Sequence, residues 1–381
     1  MTTTDCLFGL SDGLPQTGRF SGYAKIPYAS DKSAYGFIPL PLAVVGGSAG
    51  PTVLLIAGSF GDEIESQIAV ACVARQLDPA SLNGRVIILP MANQPAAQAG
   101  TRNSPIDGRN LNRSYPGDVS GTPTNVIADY IERHLMSVSD VVLDLHSDGA
   151  SLRYLPCATL IHNADPDVRA QRLAAALAFG APSILVFHSF EERNSSGAAK
   201  RAGAIRIATE IGGPAPIATT VAGIMRVLQW AGVVRGGVAA APQPVVRVAR
   251  QDKDFIYALN DGFFEPTALL GDEVDAEDVV GLIHDPSRPL SDPVIVKAAC
   301  EGTVVCTRGA SLASRGDCLV HLAGPADAAL AAEVAMAQEM SWSRAMPRQR
   351  QIMANGPASA GKRTRGRVAK RPVAKKPKKG R

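Results

Sequence analysis

Short apolar, β-branched runs alternate with helix-periodic stretches through the first two-thirds of the chain, the pattern of an α/β sheet. Strands are predicted over 37–45 (FIPLPLAVV), 52–58 (TVLLIAG), 85–90 (RVIILP), 140–146 (DVVLDLH), 183–188 (SILVFH) and 204–213 (AIRIATEIGG). Helices are predicted over 62–77, 123–137, 166–179 and 218–231. Strands joined through helices pair in parallel. The expected fold class is therefore α/β, a mixed and mostly parallel sheet with flanking helices, formed by residues 1–239. Residues 91–122 show no periodicity and are rich in Asn, Gly, Pro and Ser. A loop of that length inside a compact domain is usually functional.

From residue 240 the texture changes to short strands punctuated by Gly and Asp, which predicts a small all-β module over 240–323, a lid or an oligomer surface. A helix is expected over 324–343. The remainder, 344–381, is Pro, Gly, Ala, Lys and Arg, too poor in apolar residues to bury a core, and is expected to be disordered.

Charge separates the same parts. The 381 residues carry a formal net charge of +4, yet 14 Lys and Arg and no acid lie between Arg344 and Arg381. Residues 1–343 hold 25 basic and 35 acidic residues, a net charge of −10. The body is acidic and the tail is a separate cationic object. Such a tail attracts phosphate without reading sequence, which leaves weak, nonspecific nucleic-acid contact through 344–381 as one option and an extension that solubilises or docks on the acidic body as the other. No run reaches the length of a membrane span, and the first residues lack a basic then apolar leader, so a cytoplasmic protein is expected. Six scattered cysteines without a C-x-x-C pair read as reduced thiols.

Candidate chemistry collects just past the carboxyl ends of predicted strands, where open parallel sheets bind ligands. The segments are GSFGDEIES (58–66), AGTRNSPIDGRNLNRSYPG (99–117), DLHSDG (144–149) and TEIGG (209–213). These four motifs, in this order, resemble the succinylglutamate desuccinylase/aspartoacylase family of zinc-carboxypeptidase-like fold, and within it the N-acetyl-diaminobutyrate deacetylases. The resemblance covers roughly residues 20–323.

The resemblance implies a metal-dependent amide hydrolase of small N-acyl amino acids. It implies one zinc ion held by Glu63 and His146, with Glu210 as general acid/base and Arg102 facing the oxyanion. Asn112 and Arg113 would grip the substrate carboxylate, which Arg can bind bidentately. Asp144, two residues before His146, would orient the imidazole or the loop. The chain departs from the family pattern at Phe60, which stands where the family has its first zinc-binding histidine. On a parallel sheet His188 ends a strand on the same rim as the motif residues, and its spacing to Glu191 repeats His-x-x-Glu. His188 is therefore the candidate substitute ligand. The alternative, from a different functional class, is a catalytically silent homologue that binds an amino-acid-like carboxylate as a sensor or partner.

Overall fold

A computed structural model gives the fold, and it describes residues 4–8, 13–188, 192–212, 216–236, 241, 243–250, 252–309 and 311–342. The chain divides into two compact units, 1–346 and 347–381. The described residues all belong to the first, and the basic tail lies outside them.

The amino-terminal half runs β1 (Thr4–Phe8), β2 (Gly18–Pro27), β3 (Phe37–Gly46), β4 (Ser48–Ala57), α1 (Ile64–Gln76), β5 (Asn83–Leu89), α2 (Gln94–Ala99), α3 (Pro123–Tyr130) and β6 (Val141–His146). It continues through β7 (Leu152–Tyr154), β8 (Cys157–Ile161), α4 (Pro166–Phe179), β9 (Ser183–Phe187), α5 (Ser195–Ala202), β10 (Ile205–Glu210) and α6 (Pro216–Trp230). The remaining elements are β11 (Val245–Ala249), β12 (Phe255–Tyr257), β13 (Gly262–Pro266), β14 (Glu273–Val274), β15 (Val279–His284), β16 (Val294–Lys297), β17 (Gly302–Arg308), β18 (Ser311–Ala313), β19 (Cys318–Pro325) and α7 (Ala328–Gln338).

The long apolar runs form strands where expected, β1 and β2 precede them, and α2, β7, β8 and α5 appear between them. Helix ends follow local chemistry. Asp165 accepts hydrogen bonds from the first-turn amides of α4, Pro166 opens that helix, and Gly180 closes it in a left-handed conformation. Asn194 caps α5 in the same way. The helix predicted over 123–137 begins as α3 and continues as a π turn over Ile131–Leu135.

The principal sheet has the order β1-β2-β3-β5-β4-β6-β10-β8-β9-β11-β19-β17-β14. Side chains of β4 alternate between its two faces. Val53 and Leu55 pack with Val70, Val73, Phe179 and Leu228 of α1, α4 and α6. Leu54 and Ile56 pack on the other face with Ile87, Ile127 and Tyr130. Coverage of both faces accounts for the near-continuous apolar strands.

The strands β5, β4, β6 and β10 are mutually parallel. At β8 the direction reverses, because β10 pairs with β8 antiparallel while β8, β9 and β11 are parallel to one another. The register places His146, Glu210, Cys157 and Ser183 side by side across four strands. The carboxyl end of β9 therefore lies on the opposite rim.

Beyond residue 240, β13, β15, β16 and β18 make a small antiparallel sheet, and a third core forms around Phe264, Val280, Ile283 and Leu319. Strands β19 and β17 of this region extend the principal sheet through β11. Among the described residues no helix is long and apolar enough to cross a membrane.

Candidate functional site

The site is built on the loop that leaves β4. Gly58 has φ +67°, a left-handed conformation in which side chains are strained. Gly61 donates its N–H to the Thr101 carbonyl at 2.9 Å, and a Cβ on it would lie 2.1 Å from the Ala96 backbone. Only glycine permits so close an approach, and it ties the loop carrying Phe60 to the loop carrying Arg102. The Arg102 guanidinium lies over the Phe60 ring, its carbon 3.7 Å from the centroid. Phe60 is buried, and its ring centroid is 5.2 Å from that of His146.

Glu63 occupies the position before the first turn of α1 without capping it by its side chain. Its Oε2 instead meets His146 Nδ1 at 2.8 Å. The other ring nitrogen, Nε2, lies 3.2 Å from Asp144 Oδ2. Asp144 and His146 are two apart on β6 and so project from the same face.

Beneath them Asp144 Oδ2 accepts a hydrogen bond from Arg206 Nη2 at 2.6 Å and another from the Ser195 hydroxyl. Arg206 Nη2 also donates to Ser195 Oγ at 2.8 Å. Ser195 in turn donates its backbone N–H to Asn112 Oδ1 at 2.9 Å. Arg113 follows at the surface and donates to the Asn112 carbonyl at 2.9 Å.

The electrostatics follow from this packing. Burial disfavours the charged form of His146, but the Asp144 and Glu63 carboxylates outweigh it and hold the imidazole protonated well above its ordinary range. Burial would also raise Asp144, yet His146 and Arg206 keep its carboxyl far below the usual carboxylate value. Burial pushes Glu63 upward against the pull of His146 and Arg102. Glu210, half-buried at the end of β10 and opposite His146 in the ladder, is pushed up to about 8 by burial, with His146 and Arg102 opposing and Glu63 and Asp148 adding.

Phe60, Glu63, Arg102, Asp144, His146 and Glu210 thus converge, and Asn112 joins them through Ser195. No motif of the sequence marks Ser195 or Arg206. Arg206 carried a legible signal: a cation inside the apolar strand AIRIATE demands a buried anion. Ser195 had none beyond following an Asn at a helix start.

His188 does not join the site. It follows β9, and the antiparallel β10–β8 pairing carries it to the far rim, about 17 Å along the strand from Ser183 at ~3.3 Å per residue. There its ring stacks on that of His162 at 4.9 Å, and both line a cavity of about 540 Å³ with Arg169, Arg250, Asp327 and Glu333. The expectation of a shared rim fails because β8 stands between β10 and β9 and reverses the direction of the sheet. Glu191 lies outside the described residues.

The side chains present do not fit a catalytic zinc ion. Such a site takes three protein ligands and water. Phe60 offers no lone pair, and the two ring nitrogens of His146 are both engaged with carboxylates. Among the described residues no group of three or more His, Cys, Asp or Glu is gathered to hold a metal ion.

The sequence model of the succinylglutamate desuccinylase/aspartoacylase catalytic domain matches residues 49–230. N-alpha-acetyl-L-2,4-diaminobutyric acid deacetylase of Halomonas elongata is 38% identical over 309 residues, covering 79% of this chain and 90% of that protein. A succinylglutamate desuccinylase/aspartoacylase from Rhodobacter sphaeroides superposes with a TM-score of 0.77 at 34% identity, over 81% of this chain and 97% of that one. The product-bound ectoine utilization protein EutE (DoeB) from Ruegeria pomeroyi does so with a TM-score of 0.78 at 33% identity, over 82% and 98%. With its motifs in family order, its sheet and helices superposing and its identity sustained across nearly the whole of a relative, the chain belongs to the succinylglutamate desuccinylase/aspartoacylase family.

Proposed function

We propose that this chain acts on small N-acyl amino acids of the acetyl-diaminobutyrate type, as a deacylase. The observation that carries the reading is the convergence of Glu210 with Glu63, His146 and Arg102 at the carboxyl ends of β4, β6 and β10, in a chain 38% identical to a deacetylase over 90% of its length.

Amide hydrolysis needs a group that moves a proton and a cation that faces the developing oxyanion. Glu210, pushed up to about 8, holds a proton at neutral pH that it can pass to the amine nitrogen as that nitrogen leaves. The water that adds to the acyl carbon returns a proton to the Glu210 carboxylate, so that free acid and amine depart and the carboxyl is restored. Arg102 is exposed and brings a permanent positive charge to the acyl oxygen. Asn112 and Arg113 are assigned to the substrate carboxylate, with Asn112 held in place by the Ser195 amide. The region 240–323 is assigned to covering the pocket. Strand β17 of that region pairs with β7, which follows His146 and Asp148 after a short loop, and this supports the assignment.

A second reading, binding without turnover, is favoured by one specific observation. Glu63 and His146 satisfy each other directly and Phe60 takes the place of a ligand. Incubation of the full chain with Nα-acetyl-L-2,4-diaminobutyrate separates the two. Release of acetate, lost in Glu210→Gln, supports the deacylase. Calorimetric binding without release selects the second reading, and neither binding nor release rejects both.

A further inference from the structure

The motif positions assigned to a zinc ion and the side chains that occupy them disagree, and the disagreement has a consistent direction. Phe60 is a flat apolar face, and the Arg102 guanidinium lies on it at 3.7 Å, within cation–π distance. The pairing is built into the backbone, because the Gly61 N–H to Thr101 carbonyl bond and the contact of Gly61 with Ala96 lock the two loops together. A histidine at position 60 would put a donor nitrogen beside a guanidinium, whereas a phenyl ring gives that cation a favourable surface. A divalent ion here would have only two side chains to hold it.

Glu63 and Asp144 are already met by side chains, Glu63 by His146 and Asp144 by Arg206, Ser195 and His146. Arg102 lies on the Phe60 ring, and that ring lies 5.2 Å from the His146 ring, so the guanidinium sits beside the motif residues. Its side chain is exposed, and a ligand can reach it.

We propose that Arg102, laid on Phe60, serves in place of a metal ion as the cation of this pocket, so that the pocket engages the oxygen of an anionic or acyl ligand without a metal. This rests on the reading above for the class of ligand only. Phe60 is a positioning residue: its ring fixes where the guanidinium sits.

The full chain, dialysed against EDTA, is measured in two ways. Zinc affinity is read by competition with a chromogenic chelator for the wild type and for Phe60→His. The expected result is a gain of about 100-fold or more in Phe60→His, since a third ligand completes the set. Calorimetry with Nα-acetyl-L-2,4-diaminobutyrate is run in EDTA and in zinc. The expected Kd is the same within about twofold in the two buffers, and weaker by about tenfold in Phe60→Leu and in Arg102→Gln. Arg102→Lys keeps the charge but not the planar face, and is expected to rescue only part of that loss.

Wild-type protein that holds zinc as tightly as Phe60→His, or that binds the probe only when zinc is added, overturns the proposal. Should Phe60→His not fold, the zinc content of wild-type protein purified from zinc-supplemented culture decides instead. Near one ion per chain overturns the proposal, and a trace supports it. A wild type that ignores the probe in both buffers rejects the assigned ligand class, while the zinc measurements still decide whether this site is built for a metal.

Discussion

Asp144 and Arg206 form a buried ion pair on adjacent strands, Oδ2 to Nη2 at 2.6 Å, and this pair is the floor on which His146 rests. Both side chains are almost wholly removed from water. The pair is closed by Ser195, whose hydroxyl touches both partners.

Removing one partner from such a pair leaves an uncompensated buried charge. Arg206→Met is therefore expected to cost about 3–5 kcal/mol of stability. Equilibrium urea unfolding of the variant and the wild type measures it. A loss below about 1 kcal/mol would show that Asp144 is neutralised in some other way.

Glu210 gives a pH signature. Its carboxyl is raised to about 8 in the folded chain against an ordinary value of 4.5. Because the folded value is the higher one, its favourable contribution is complete below 4.5 and is lost as the pH rises through about 8. Glu210→Gln removes that loss, so the melting temperature of the variant relative to the wild type should rise between pH 5 and pH 8. A constant difference across that range would place the carboxylate in a site that solvates its charge.

His321 titrates with the opposite sense. Its ring is buried, parallel to Phe255 at 4.0 Å and stacked near Phe187 at 5.8 Å, and burial lowers it from 6.5 to about 4 with Asp254 opposing. A depressed folded value means that the contribution is present in full above 6.5 and fades as the pH falls toward 4. The wild type should lose roughly 3 kcal/mol from this residue over that window, and His321→Phe should lose correspondingly less. Unfolding free energies at pH 7 and pH 4.5 are the measurement, and parallel losses in the two proteins would contradict the assignment.

His188→Ala is expected to leave probe binding and zinc affinity within experimental error of the wild type, since the residue lies on the far rim of the sheet. The same substitution should alter the surface it shares with His162, detectable as a shift of the His162 ring resonances. Loss of ligand binding in His188→Ala would mean that the two rims communicate.

Much of this protein was determined by local sequence. The runs that became β3, β4, β5, β6, β9 and β10 are apolar and β-branched because both faces of the sheet are covered, and that requirement is visible residue by residue. The positions of His146 and Glu210 at strand ends and of Glu63 in the loop after β4 were legible for the same reason, as was the absence of a lone pair at Phe60.

The tertiary structure decided what could not be local. Strand β8 is only the five residues CATLI, too short to announce a direction, and its antiparallel pairing with β10 joins Cys157 to Glu210 across 53 positions of chain. That single pairing removed His188 from the site. The partners of Asp144 are likewise distant: Ser195 lies 51 residues away and Arg206 lies 62. The stacking of Arg102 on Phe60 depends on Gly61 approaching Thr101 and Ala96, contacts between separate loops. Periodicity reports which side of an element is buried, because burial acts on each residue in turn. It does not report which distant charge a buried group will meet, because that is settled only when the sheet closes its register.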